Sequence, residues 1–499
     1  MLHLLSLGIY YAAICIVLPL LYFLIAALYN LTLHPLRSYP GPKLWAATRL
    51  FWARSLQSGY YHQKLHSLHQ EYGPVVRIAP NELVYIDAQA WRDIYVTRHG
   101  GHHMEKNTVW GKSPPGTPQS IVSTEEDAHL RNRRALTGAF SEHAVSEHGG
   151  VVEGYVDLMV RKLSEMAVGG NGEAVVDMVD WFNFLTFDIS GHLSFGEGFG
   201  SVENGKAHPW VEISCSFGKG LAMVATINFF SPLDKLLRYA IPAKMLEKME
   251  YHKELVRAKL QQRLSMDGEK KHDYVASILE YNKEKGDKIS YEEMRVNMTV
   301  LIFAGAETTS SALAAILNQL IKNPVALQKL ESEIRSAFQH ESNITIASVA
   351  HLEYLNAVIE EGIRMGPPAA IGPLPRVVPL GGAEICGQWV PAGTHVSINQ
   401  YPAFRSPTNF TRPDEFVPER FIEGFQGDKL DVFEPFLVGR HKCLGQKLAW
   451  AEMRITLARL LYSFDVRPAG GYEVPDYGGQ ETYIFWEKKP LMISLHLRN

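Results

Sequence analysis

Apolar residues recur at helical spacing along most of this chain, and alternate with polar ones in only a few short runs. The helical pattern predicts helices over Glu125–Phe140, Val151–Met166, Val175–Leu193, Val325–Phe338 and Ser348–Met365, and from Leu444 to about Phe464. Ser290-Tyr291-Glu292-Glu293 is a capping-box signature. The pattern behind it runs to Asn323, before Pro324. Such a helix is about 50 Å long at 1.5 Å per residue, enough to cross a domain. Strands are expected at Val75–Ile78, Leu83–Ile86, Arg376–Val378, Glu384–Val390 and His395–Ile398, and in the alternation from Tyr483 onward. Trp210–Ile241 is rich in aromatic and aliphatic residues and is broken by Pro232 and Pro242. Core is the default for such a stretch; a substrate lid or a membrane-facing patch are the other readings. The fold class is mainly α with a small β portion.

Leu4–Leu33 contains no Asp, Glu, Lys or Arg. A bilayer needs roughly 20 apolar residues, so residues 1–33 are read as a transmembrane anchor, with Tyr10, Tyr11, Tyr22 and Tyr29 available to the interfaces. A signal peptide would show a shorter apolar core and a small-residue cleavage site. Arg37, Lys43, Arg49 and Arg54 follow the span, which places the bulk of the chain on the cytosolic side. Residues 34–45, with Pro35, Pro40, Gly41 and Pro42, read as a stiff hinge. No linker or repeat follows, so 46–499 reads as one domain.

The 499 residues suffice for a large core, and a net charge of −4 gives no basic excess to suggest nucleic acid as a partner. Cys15, Cys215, Cys386 and Cys443 are widely spaced, a pattern of a reducing compartment. The sequons at Asn30, Asn297, Asn343 and Asn409 are taken as chance, since Asn297 falls in an apolar helical pattern.

The chemistry concentrates in Phe436-Leu437-Val438-Gly439-Arg440-His441-Lys442-Cys443-Leu444-Gly445. A cysteine at a helix mouth can bind a metal as thiolate, with the helix N-terminus lowering its pKa. Gly439 and Gly445 permit tight turns and close approach of a flat ligand. This order resembles the proximal haem loop of the cytochrome P450 family, with His441 where that family usually has Arg. Small residues thin one side of the long helix at Ala304-Gly305-Ala306-Glu307-Thr308-Thr309, and Thr308 can bond back to Ala304. The run is similar to the family's oxygen-activation signature.

The resemblance implies a triangular helical domain around a long central helix. It implies haem b (iron protoporphyrin IX) on Cys443 within the loop Phe436–Gly445, with Glu307 and Thr308 relaying protons. Glu361, Arg364 and Arg420, in Glu-x-x-Arg and Pro-Glu-Arg-Phe, would form a structural network. His129, Arg133, Arg376 and His441 would meet the haem propionates; His129 stands where many members have Trp. The wording around Tyr354–Glu361 and Ala449–Arg454 is similar to filamentous-fungal members, which often serve secondary-metabolite pathways. The expected activity is a monooxygenase of the endoplasmic reticulum membrane, hydroxylating or epoxidising a hydrophobic small molecule. NADPH–cytochrome P450 reductase would supply electrons, with cytochrome b5 as a second donor, at a basic face of Arg131, Arg134, Arg440, Lys442 and Lys447. Two other classes fit the loop: an isomerase or dehydratase working without O2, and a haem sensor. The expected substrate lining is His102–Ile121, Trp210–Ile241, Val300–Ala304, Ala369–Pro375 and Thr482–Ile484.

Overall fold

The computed structural model describes residues 2–96, 103–112, 118–266, 273–286 and 288–498, with side chains except at 2–16, 211–217 and 240. Helices dominate, and the core is organised on the helix Tyr291–Lys322. Ser290 and Glu293 close its capping box reciprocally. This central helix is apolar and long enough to cross a membrane, yet Ala312 to Leu317 are all buried inside the protein. It packs most extensively on the helix Met178–Phe195. Gly305 faces that contact: a Cβ there would come within 2.7 Å of Ser190 Oγ, and the hydroxyl would have to turn away.

A five-stranded sheet orders Val75–Ala79, Glu82–Tyr85, His395–Ile398, Arg376–Val377 and Glu105–Lys106 side by side. Only Glu82–Tyr85 and His395–Ile398 pair in parallel. The register sets Lys106 opposite Arg376.

Several elements differ from the periodicity reading. Val175–Leu193 is not one helix: Glu173–Asp177 is a strand paired with Met492–Leu497, and the helix begins at Met178. A partner from the far end of the chain overrides local pattern there. Ser348–Met365 is split into Ile346–Val349 and Glu353–Met365. The cause is Glu333, whose carboxylate accepts from the N–H groups of Tyr354 and Leu355 at 2.7 and 2.8 Å and so starts a new helix. Glu384–Val390 is a hairpin of two strands, Ala383–Ile385 and Gln388–Val390. From Tyr483 the only long strand is Met492–Leu497, which also pairs with the unforeseen strand Phe464–Pro468. Asn297 and Asn409 are buried, in keeping with sequons that arise by chance.

The N-terminal helix spans Leu2–Thr32, and its stretch Val17–Thr32 is apolar and largely exposed. The proline segment behind it is packed against the body. Arg77 N–H donates to Pro40 O at 2.7 Å, and a Cβ on Gly41 would lie 2.4 Å from Arg77 O.

Glu361, Arg364 and Arg420 have no exposed surface and meet in the interior. Arg364 Nε and Nη2 donate to Glu361 at 2.6 and 2.9 Å, and Arg420 Nε does so at 3.1 Å. Arg364 also takes the carbonyls of Phe404 and Pro413, each at 2.8 Å, and Arg420 Nη1 reaches Asp428 at 2.5 Å. Asp428 had no signal in the sequence. It balances the set at two cations and two anions. Removing one partner of a buried pair strands the other, at a cost of about 3–5 kcal/mol. Glu361→Gln should therefore lower the unfolding free energy by about that amount in urea melts. Lys253→Met, which breaks an exposed pair with Glu250, should change it by no more than about 0.5 kcal/mol.

Candidate active site

The cysteine loop is wound tightly enough to need special backbone at two points. Cys443 N–H donates to Phe436 O at 2.9 Å, and Lys442 N–H to Gly439 O at 3.1 Å. Gly439 sits at φ +72°, and a Cβ there would come within 2.3 Å of Tyr95 O. Leu437 adopts φ +64°, a conformation that costs a non-glycine residue energy and persists only where its surroundings enforce it. Gly445 differs from expectation: its φ of −80° needs no glycine. The nearest atom to a Cβ there is Phe140 Cε1 at 3.9 Å, so what Gly445 leaves is open space.

Cys443 is encased by protein, yet the residue keeps accessible surface. Surface at that depth faces an internal void. Burial raises the thiol pKa, against the N–H groups of Gly445 and Gln446 and the cations Arg133 and Lys442, which lower it. This corrects the expectation that the helix mouth alone would favour the thiolate. The desolvation that wins here is removed when the sulfur binds a cation. Among the described residues no group of three His, Cys, Asp or Glu side chains converges as a metal site, so Cys443 would be a lone protein ligand.

Beside the loop lies a buried cationic cluster. The helix Glu126–Thr137 supplies His129 and Arg133, the sheet supplies Lys106 and Arg376, and the loop supplies His441. The His129 and His441 rings stand 4.3 Å apart. Lys106 Nζ donates to Ile121 O at 3.0 Å and lies 3.1 Å from His129 Nδ1. Burial, with Arg376 beside it, pulls the Lys106 ammonium down to about 7. Burial and then Arg376, His129, Lys106 and Arg440 push His441 to about 2, so its ring is neutral. Glu126 accepts from Arg440 at 2.8 Å and lies 3.2 Å from His441 Nε2, without the geometry of a hydrogen bond to it. His129 Nε2 and His441 Nε2 are both buried and make no hydrogen bond. Orphaned nitrogens among crowded cations call for acceptor oxygens. Arg133 is directed differently: its Nη1 donates to Lys442 O at 2.8 Å, which braces the loop. Arg376 donates to Leu374 O at 2.8 Å and lies over Tyr95. Lys106 escaped sequence reasoning because it stands alone in a two-residue strand, and only its register against Arg376 reveals it.

On the central helix, Thr308 Oγ1 donates to Ala304 O at 2.6 Å. Ala304 is exposed and Thr308 half-buried in the middle of an otherwise buried helix, so this turn also faces a void. Glu307 points to the other side, buried and paired with Lys488. Glu452, on the cysteine helix Gln446–Ser463, is pushed up to about 8 by burial and bonds Thr309, tying the two helices together.

Four of the expected lining segments converge. Trp110, Phe229 with Phe230, Ile371 and Ile484 pack on one apolar cluster with Trp52 and Tyr483. Residues 102 and 113–117, and the side chains of 211–217 and 240, lie outside the described residues. Val300–Ala304 is the fifth segment; its Leu301 packs on the main core. The expected basic face is largely engaged internally. Arg131 pairs with Glu293, Arg440 with Glu126 and Lys447 with Glu142, while Arg134 and Lys442 are exposed.

The sequence matches the cytochrome P450 family over residues 39–495. It is 40% identical to the cytochrome P450 monooxygenase astJ of Aspergillus oryzae over 96% of each chain. It is 39% identical to the cytochrome P450 monooxygenase atr2 of Stereocaulon alpinum, over 94% of this chain and 92% of that one. With the averantin hydroxylase of Dothistroma septosporum it shares 38% identity over 95% of this chain and 89% of the other. A deep cysteine in a wound loop, beside a buried cationic cluster and a small-residue turn of the central helix, thus comes with whole-length similarity, and the chain belongs to the cytochrome P450 family.

Proposed function

We propose that this chain is a haem-b-dependent monooxygenase that hydroxylates or epoxidises a hydrophobic small molecule in a fungal secondary-metabolite pathway. The observation that carries the haem reading is the void at Cys443 flanked by orphaned imidazole nitrogens and buried cations. A flat apolar macrocycle bearing two carboxylates fits both: Cys443 would hold its metal, and Lys106, His129, Arg376 and His441 its carboxylates. When bound, the haem supplies oxygen activation, to which a thiolate ligand contributes electron density. The chain's own residues position and protect. Gly445 leaves room beside the sulfur. Arg133 holds the loop through Lys442 O. Thr308 Oγ1, its own proton held by Ala304 O, presents its lone pairs at the thinned turn, and Glu307 is the acid that would supply protons there. The apolar lining excludes water and favours an apolar substrate.

Electrons would come from a separate NADPH-dependent reductase, with cytochrome b5 as a second donor, and docking would fall to Arg134 and Lys442. The apolar N-terminal helix supports an endoplasmic reticulum anchor with a cytosolic body. Residues 1–33 would form that anchor, 34–45 its junction and 46–499 the catalytic domain. The isomerase, dehydratase and sensor readings are separated by product formation with and without NADPH, reductase and O2.

The ferrous–CO spectrum of Cys443→Ser should lose the red-shifted thiolate Soret band; a variant that keeps it would sink the ligand assignment. Lys106→Met should weaken haem retention in gel filtration. It should also change the apoprotein's pH profile. The folded Lys106 releases its proton near pH 7 and the unfolded chain near 10.5, so wild-type apoprotein should gain stability over Lys106→Met as pH rises through that window. Haem carboxylates should flatten the difference. Charge reversal at Arg134 and Lys442 should slow reduction by the reductase several-fold at low salt and little at high salt, measured by stopped-flow.

A further inference from the structure

The acid of the central helix does not face solvent. Glu307 is 1% exposed, and its Oε1 accepts from Lys488 Nζ, whose side chain is 3% exposed. Lys488 comes from the C-terminal segment between the Thr482–Trp486 bridge and the last strand, more than a hundred residues beyond the helix. Its remaining N–H bonds go to the hydroxyls of Ser310 and Ser311, at 3.0 and 3.3 Å. Tyr477 closes another side, donating to Ser311 O at 2.8 Å, and Glu487 lies near enough to feel the Glu307 charge. The second carboxylate oxygen, Glu307 Oε2, is buried and accepts nothing.

We propose that Lys488 is a positioning residue for proton delivery, one that fixes Glu307 by Oε1 so that Oε2 alone exchanges protons. The inference rests on the monooxygenase reading above. A buried carboxylate without a counter-charge takes up a proton and holds it. Lys488 supplies that counter-charge at Oε1, which leaves Oε2 to take up a proton and pass it on, through water, toward the turn that carries Thr308. Each proton passed on is replaced by one from solvent, while the Lys488 ammonium keeps its three N–H bonds. Ser310 and Ser311 hold Lys488 in turn, so the pair is a fixed unit rather than a surface contact. A lysine is a point donor on a flexible stem, and the two hydroxyls confine it.

The test compares Lys488→Met, Glu307→Gln and the double variant. In the infrared spectrum of the apoprotein, the ionised-carboxylate band that Glu307→Gln removes should be replaced in Lys488→Met by a protonated-acid band. In the haem-loaded protein, with reductase and any compound that gives a high-spin shift, Lys488→Met should raise the peroxide released per NADPH oxidised several-fold. Its ferrous–CO band should stay normal. An unchanged carboxylate band, or unchanged peroxide release, would overturn the proposal. If Lys488→Met does not fold, Glu307→Gln and the double variant decide, since neither contains an unpaired carboxylate at this position. Equal peroxide release in those two supports action through Glu307, and a further several-fold rise in the double variant overturns it. Tight coupling in Glu307→Gln would remove Glu307 itself from proton delivery and overturn the proposal with it. Failure of the monooxygenase reading shows separately, as an absence of O2-dependent product in the wild type.

Discussion

One buried carboxylate, Glu361, organises the proximal half of this protein. It receives two guanidinium groups and the Val417 N–H, and through Arg364 and Arg420 it collects the carbonyls of Phe404, Thr411, Pro413 and Glu415. These carbonyls belong to an irregular stretch with few strand or helix partners of its own. Irregular backbone can be buried only if its polar groups are satisfied, and the guanidinium forks satisfy them. The chain that leaves this stretch becomes the cysteine loop. The position of Cys443 is therefore inherited from a charge network that never touches it.

The second constraint is electrostatic. The protein gathers Lys106, Arg376 and two imidazoles in its interior, with Arg133 half-buried beside them, and burial first, then repulsion from the neighbouring cations, depresses the values at Lys106 and His441. A cluster like this is tolerable when an anionic partner completes it. The departure at His441 fits that picture: a neutral ring set close against His129 at a tilt of 40° replaces one cation and offers a donor nitrogen instead of a charge.

Much of this was legible in the sequence because it depends on local spacing. The capping box at Ser290, the three-residue step from Glu361 to Arg364 and the glycine frame of Cys443 are each written within a few positions. What escaped depends on residues distant in sequence. Glu333 starts a helix from another helix, Asp428 completes the network, Lys106 faces Arg376 across a sheet, and Lys488 reaches Glu307 from the C-terminal segment. None has a neighbour in sequence that marks it. The strand Glu173–Asp177 was missed for the same reason, since its partner lies more than three hundred residues away.

Arg77 Nη1 donates to Asn30 O at 3.0 Å, while its Nη2 holds Pro80 O at 2.7 Å in the turn of the first hairpin. Asn30 Nδ2 in turn donates to Ala47 O at 2.9 Å. The last turn of the N-terminal helix is thus bolted to the sheet that carries Lys106 and Arg376. A buried guanidinium and the Asn30 amide together fix the end of this helix to the hairpin turn and to Ala47, so the helix and the sheet would move as one unit.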